Sequence, residues 1–136
     1  MPVQTSGHFT YADWTERAVG PGEAHPRLAH ASVANSFTGG IEAAGTTCEY
    51  TIVYGTEKTG TFTGMELLTG SLDGREGTFV VAEHGSFGAD GTVRCTFEVV
   101  PGTGTGELLA GLRGAGAFTA VHGEPAVPYT FDYELD

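Results

Sequence analysis

The 136-residue chain reads as an all-β protein, a single closed antiparallel barrel of eight strands. Three observations lead there. Apolar and polar residues alternate along most of the chain, the period-two pattern of a sheet with one face in a core. Turn-forming glycine, proline and aspartate recur between these runs, so the connections are short and no long helix is predicted. The 22 glycines supply the bends and bulges that a small barrel needs. So many strands with one apolar face must close or pack on a second sheet. Even strand number and hairpin connectivity favour closure, and pattern alone leaves a sandwich open.

The elements follow in order. "GHFTYADW" (7–14) alternates and ends at Trp14. "AVGPGEAHP" (18–26) is a loop, punctuated by Pro21, Gly22 and Pro26. "LAHASVANSFTG" (28–39) puts Val33, Asn35 and Phe37 on one face, and "GGIEAAG" (39–45) reads as a turn with a short strand or bulge. "TTCEYTIVYG" (46–55) groups Cys48, Tyr50, Ile52 and Tyr54, and "GTFTGMELLTG" (60–70) groups Phe62, Gly64, Glu66 and Leu68. After the turn "SLDGREG" (71–77), "TFVVAEHGSF" (78–87) aligns Phe79, Val81 and Glu83. "GADG" (88–91) is a hairpin signal. "TVRCTFEVVP" (92–101) aligns Val93, Cys95, Phe97 and Val99. "AFTAVHG" (117–123) and "YTFDYEL" (129–135) complete the set, the latter with Tyr129, Phe131, Tyr133 and Leu135 on one side.

Composition bounds the function. The length suits one domain, 1–136, with a real core. A formal charge of -11 repels phosphate backbones and anionic lipid heads, which argues against nucleic-acid and membrane partners. The start, "MPVQTSGHFTYADW", lacks a basic region followed by an apolar run, and no stretch reaches membrane-spanning length, so a cytoplasmic location is expected. Cys48 and Cys95 show neither CxxC nor zinc spacing. Buried, reduced thiols are the expectation, with a disulfide or a catalytic thiol as alternatives. No metal constellation and no cofactor site is visible.

The glycine-rich stretch "VVPGTGTGELLAGLRGAGAF" (99–118) invites comparison with a phosphate-binding loop. It fails that test. The G-x-G-x-x-G frame started at Gly102 ends on Glu107, and started at Gly104 it ends on Leu109. No G-K-[ST] follows, and Glu107 would put negative charge where a phosphate belongs. The structural reading is a wide turn after Pro101 in which glycine permits positive φ, pinned to an apolar surface by Leu108, Leu109 and Leu112.

The same stretch resembles the signature of the bacterial DUF3224 family. So, in order, do Trp14, "RLAHASVANSFTGGIEAAG" (27–45), "EYTIVY" (49–54), "GTFTGMELLTGSLDGREGTFVV" (60–81) and "TFDYEL" (130–135). The resemblance covers nearly the whole chain, and its motifs are specific in combination. It implies an allene oxide cyclase-like barrel, a fold shared with dirigent proteins, whose interior can hold an apolar small molecule and which is often a homo-oligomer, here a dimer or trimer. Outward-facing Met65, Leu67 and Val80 fit such assembly. The chain departs from the family pattern at Leu67, where a basic residue is common, at Phe97, where tryptophan is common, and at Glu83, where histidine is common. Its cavity is therefore expected to be reshaped.

Ionisable groups inside an apolar barrel are costly unless paired or used. Glu66 shares its face with Phe62, Gly64 and Leu68 and matches the family's "GLE" position. Desolvation would fit it for general acid or base work; an inert, hydrogen-bonded glutamate is the alternative. Glu83, beside a turn, is placed at the barrel mouth, with a solvated strand end as the alternative. His122, on the face of Phe118 and Ala120, is a candidate proton shuttle or a structural donor. Asn35 is a candidate polar anchor for a carbonyl or oxyanion, or the satisfier of a bulge carbonyl. Tyr11, Tyr50 and Tyr133, with Phe62 and Phe97, are candidate substrate-binding residues or ordinary core. Glu49 falls outside the barrel. No nucleophilic triad is present. The function expected from these residues and the resemblance is a cofactor-free cyclase or isomerase of an apolar, polyketide-like intermediate. A non-catalytic binding or carrier barrel is the alternative, and a fully packed structural barrel the third.

Overall fold

Period-two alternation becomes eight strands in the computed structural model, which describes residues 2–20, 24–108 and 111–135. They are β1 (Val3–Val19), β2 (Arg27–Gly39), β3 (Ile41–Tyr54), β4 (Gly60–Leu72), β5 (Arg75–Phe87), β6 (Thr92–Val99), β7 (Arg113–Val121) and β8 (Val127–Glu134). Each pairs antiparallel with its sequence neighbour, and β8 returns to β1, so the sheet closes into a barrel. The sandwich is thereby excluded. Because every connection is a hairpin, the turns alternate between two ends. The β1–β2, β3–β4, β5–β6 and β7–β8 turns form the upper end, and the other three form the lower.

The lower half is solid. Ile41, Leu72, Phe79 and Phe131 are buried there with Leu108 and Leu112 from the β6–β7 connection. Phe131 stacks between Phe79 and Phe97, with centroids 6.3 and 5.7 Å away. Burying an aromatic or leucine side chain stabilises by roughly 1.5–3 kcal/mol, so this cluster anchors the fold. Leu109 lies outside the described residues, as do Pro21 and Gly22 of the β1–β2 loop.

The glycine-rich connection does more than turn. β6 pairs with β5 only as far down as Val81, which leaves the lower edge of β5 unpartnered by a strand. Side chains at every second position of "GTGTGE" take over. Thr103 Oγ1 accepts from Val80 N (3.1 Å), Thr105 Oγ1 from Thr78 N (3.0 Å), and a Glu107 carboxylate oxygen from Glu76 N (3.1 Å). Thr105 N donates to Thr78 O at 2.9 Å. Glycine on both sides lets the segment approach: a Cβ on Gly106 would lie 2.8 Å from Glu76 O, and one on Gly77 of β5 2.0 Å from Thr105 O. Thr103 also donates to Val100 O at 2.7 Å. Thr103→Val, which leaves the Val80 amide without its acceptor, is expected to cost about 1–2 kcal/mol, read as a lower urea midpoint with an unchanged slope.

Several boundaries differ from those read in the sequence. β1 does not end at Trp14 but runs to Val19, because a bulge between Ala12 and Thr15, with Asp13 at φ 59°, lets pairing with β2 resume beyond it. Residues 41–45 belong to β3 itself. The "SLDGREG" turn contracts to Asp73–Gly74, both at positive φ (47° and 87°), the geometry of a two-residue hairpin turn. Met65 and Leu67 are 55% and 53% exposed on the outside of β4, as alternation requires, and Val80 is half-buried. Among the described residues no helix is long and apolar enough to cross a membrane.

Candidate functional site

Above the solid half, four neighbouring strands turn polar side chains inward. Asn35 on β2, Thr46 on β3, Glu66 on β4 and Glu83 on β5 are all buried. A bulge makes this possible. In β3 the inward residues are Ile41 and Ala43, then Thr46, Cys48, Tyr50 and Ile52. The phase changes at Gly45, which has φ 62° and donates its N–H to Ser36 Oγ at 3.1 Å. Thr46 is thus brought opposite Asn35, and Cys48 opposite Glu66.

Glu66 Oε2 accepts from Asn35 Nδ2 at 2.9 Å and from the Thr46 hydroxyl. Glu83 accepts from the Tyr50 hydroxyl at 2.9 Å, and the thiols of Cys48 and Cys95 point at it from 3.8 and 3.7 Å. Gly64 makes the Tyr50 contact possible. Tyr50, Gly64 and Glu83 are in register across β3, β4 and β5. A Cβ on Gly64 would sit 2.6 Å from the Tyr50 ring, so the ring crosses β4 only where there is no side chain.

The two carboxyls face one another. Oxygen atoms of Glu66 and Glu83 and the sulfur of Cys48 lie within 4.8 Å of one another. Among the described residues the ion pairs His30–Glu49 and Arg113–Glu134 involve neither. Burial, then hydrogen bonding to Glu66 and its negative charge, push the Glu83 carboxyl up to about 9, against smaller opposing effects of Tyr50 and Cys95. At neutral pH Glu83 therefore keeps its proton, which lets two carboxyls lie side by side in a desolvated site. Burial and the charge of Glu83 raise the thiols of Cys48 and Cys95 and the Tyr50 hydroxyl far above their ordinary values. Both cysteines are therefore held as thiols, and both are free. Cys48, Glu66 and Glu83 also make a donor set of the kind that holds a small cation. Spacing along the chain gave no sign of it, because the three come from three strands.

Over this cluster lies a cavity of about 720 Å³, open at the upper end. Asn35 and Tyr50 line it, together with Val33, Ile52, Phe62 and Phe118. Among the described residues β8 pairs with β1 only from Val3 to Phe9, which leaves a gap in the sheet beside the rest of β1, where β2 is its one strand partner. Tyr11 and Trp14 from that half-free stretch line one side of the gap, and Ala120, His122 and Val127 the other.

The structure sorts the candidate residues. Glu66, Asn35, Tyr50 and Glu83 come together. Glu83 is not at the mouth: β5 continues to Phe87, and Glu83 is buried in mid-barrel, 4% exposed. His122 is exposed at the rim in the β7–β8 turn, away from the carboxyls. Tyr11 and Phe62 line the cavity. Tyr133 and Phe97 do not: Tyr133 bonds Asp73 at the lower end, and Phe97 packs on Phe131. Glu49 is outside, bonded to Ser32 and His30. Thr46 was not singled out from sequence, although it continues the even-numbered face of Cys48 and Tyr50.

Comparison with known proteins agrees with this architecture. Residues 5–133 match the family described as "Protein of unknown function (DUF3224)". A solved structure of a DUF3224 protein of unknown function from Shewanella oneidensis MR-1 superposes with a TM-score of 0.81 at 25% identity, covering 100% of this chain and 99% of that one. No curated protein matches.

Proposed function

The chain belongs to the DUF3224 family, and from that premise, which brings no activity with it, we propose that it is a cofactor-free acid–base isomerase or cyclase of an apolar molecule held in the barrel cavity. One observation carries the reading: Tyr50 lines the cavity and donates to Glu83, the proton-bearing member of the buried pair. A phenol both donates and accepts, so Tyr50 connects a bound molecule to the pair. A substrate hydroxyl passes its proton to the Tyr50 oxygen. Tyr50 passes its own to Glu83, and Glu83 passes one to Glu66. The substrate, an enol, becomes an enolate whose electron pair moves to carbon. In an isomerisation Tyr50 returns the proton to that carbon and is refilled from Glu66 through Glu83, so an O–H bond and a C=C π bond give way to a C–H bond and a C=O π bond. In a cyclisation that carbon instead attacks a carbonyl carbon of the same molecule, whose π bond opens to an alkoxide that takes the returning proton. Either way the carboxyl pair is restored and atoms and charge balance without an outside reagent. The walls contribute by restricting a flexible substrate and excluding water.

The test is proton exchange in a model compound. Incubated in heavy water, 2-tetralone, whose enol presents the hydroxyl that Tyr50 accepts, should lose its α-proton NMR signals faster with the protein than with buffer. Exchange should persist after dialysis against a strong chelator, which distinguishes a proton on Glu83 from a bound cation. Tight binding with exchange at the buffer rate would instead establish a carrier.

A further inference from the structure

Resting on that reading of the cavity, we propose that the site selects neutral ring compounds that present a hydroxyl or ring N–H to its floor, and rejects anions. The argument is a census of donors and acceptors. Asn35 is 3% exposed and lines the cavity. Its Nδ2 is engaged by Glu66, and this bond to a carboxylate fixes which way the amide faces. Its Oδ1 is buried with no hydrogen-bond partner among the described residues. The Tyr50 proton is likewise engaged, by Glu83, which leaves only the oxygen's lone pairs toward the cavity. Tyr50 thus offers the floor only an acceptor, and Asn35 offers a carbonyl oxygen without a partner beside the one N–H that Glu66 does not take.

A buried acceptor without a partner costs about 1–3 kcal/mol, and a ligand that donates to it recovers that cost. A ligand that brings only lone pairs leaves that cost in place, and one that brings negative charge meets the carboxyl pair at short range. Much of the remaining lining is apolar and rich in rings, with Phe9, Trp14, Phe62 and Phe118, while Glu57, Lys58, Asp90 and His122 line it from the turns at the upper end. Trp14 is 48% exposed although it lines the cavity, and its ring centroid is 6.1 Å from that of Tyr50. A flat ring compound entering through the gap beside β1 would cover it. A site built to receive a donor discriminates strongly against the same molecule without one.

The experiment is a series of equal-sized probes on the unaltered chain: 1-hydroxypyrene, 1-methoxypyrene and 1-pyrenecarboxylate. Energy transfer from Trp14, the only tryptophan of the chain, locates binding in the cavity. The hydroxyl probe should bind about 10-fold more tightly than the ether, the worth of one hydrogen bond, and the carboxylate most weakly. Asn35→Leu should erase the preference for hydroxyl over ether while the ether still binds. The probe series decides the matter even if that variant does not fold. Equal affinity of hydroxyl and ether, or tightest binding of the carboxylate, would overturn the selection and leave the cavity as a binding site. Failure of all three probes to bind would remove the proposed function together with it.

Discussion

Raising the pH from the ordinary carboxylate range toward about 9 should steadily lower the melting temperature of the unaltered chain, and Glu83→Gln should remove most of that fall. In the unfolded chain Glu83 ionises near its ordinary 4.5, and in the folded chain at about 9. Below the lower value both states hold the proton, and the stabilisation is fully present. Between the two values the folded chain binds one proton more, so rising pH drives unfolding by up to about 1.4 kcal/mol per pH unit. Above the upper value the contribution is gone. The causes are burial first, then Glu66, so the slope belongs to the pair. Glutamine mimics the protonated acid: its carbonyl accepts from Tyr50, its amide donates to Glu66, and it does not ionise. The variant should therefore melt above the unaltered chain in mildly alkaline buffer and match it more closely in acid. Parallel pH profiles for the two proteins would show that Glu83 does not hold the extra proton.

Glu66→Gln should slow α-proton exchange in 2-tetralone roughly 100-fold or more while leaving affinity for pyrene probes nearly unchanged. Glu66 does not line the cavity. It lies behind the floor, where it accepts from Asn35 and Thr46. The amide keeps an oxygen for these two donors and preserves shape, but cannot take the proton that arrives through Tyr50 and Glu83. Loss of exchange with retained binding assigns the chemistry to the pair. Unchanged exchange would mean that confinement in the cavity suffices. Weakened binding would mean that Glu66 holds the floor in shape and that the readout is structural.

Much of the interior was legible in the sequence, because alternation survives wherever strands stay regular. The faces of Cys48–Tyr54, Phe62–Leu68 and Phe79–Glu83 are inward as read, which puts Glu66 and Glu83 inside. Height along the barrel was not legible. Alternation says in or out but carries no information on how far a strand continues, so Glu83 was placed at a mouth that lies two inward positions higher, near Phe87. The same limit put Tyr133 and Phe97 in the site, although they face inward below it. Contacts that skip a strand were also hidden. Tyr50 reaches Glu83 over Gly64, and nothing local to either residue signals it. Bulges were the third blind spot. The phase change at Gly45 brings Thr46 under Asn35, and that at Asp13 carries β1 past Trp14 along the gap in the sheet.

The "GTGTGE" segment imitates a strand with side chains in place of backbone carbonyls, and this makes it sensitive to spelling in an unusual way. An ordinary loop tolerates a residue gained or lost, because its length is only a tether. Here Thr103, Thr105 and Glu107 meet Val80, Thr78 and Glu76 like teeth of a comb set two residues apart. Deleting one residue would bring glycines, which carry no oxygen beyond the backbone, opposite the waiting amides. It would also pull Leu108 and Leu112 out of step with the lower core they seal. The connection with the most flexible composition in the chain is thus one whose reading frame the barrel holds most tightly.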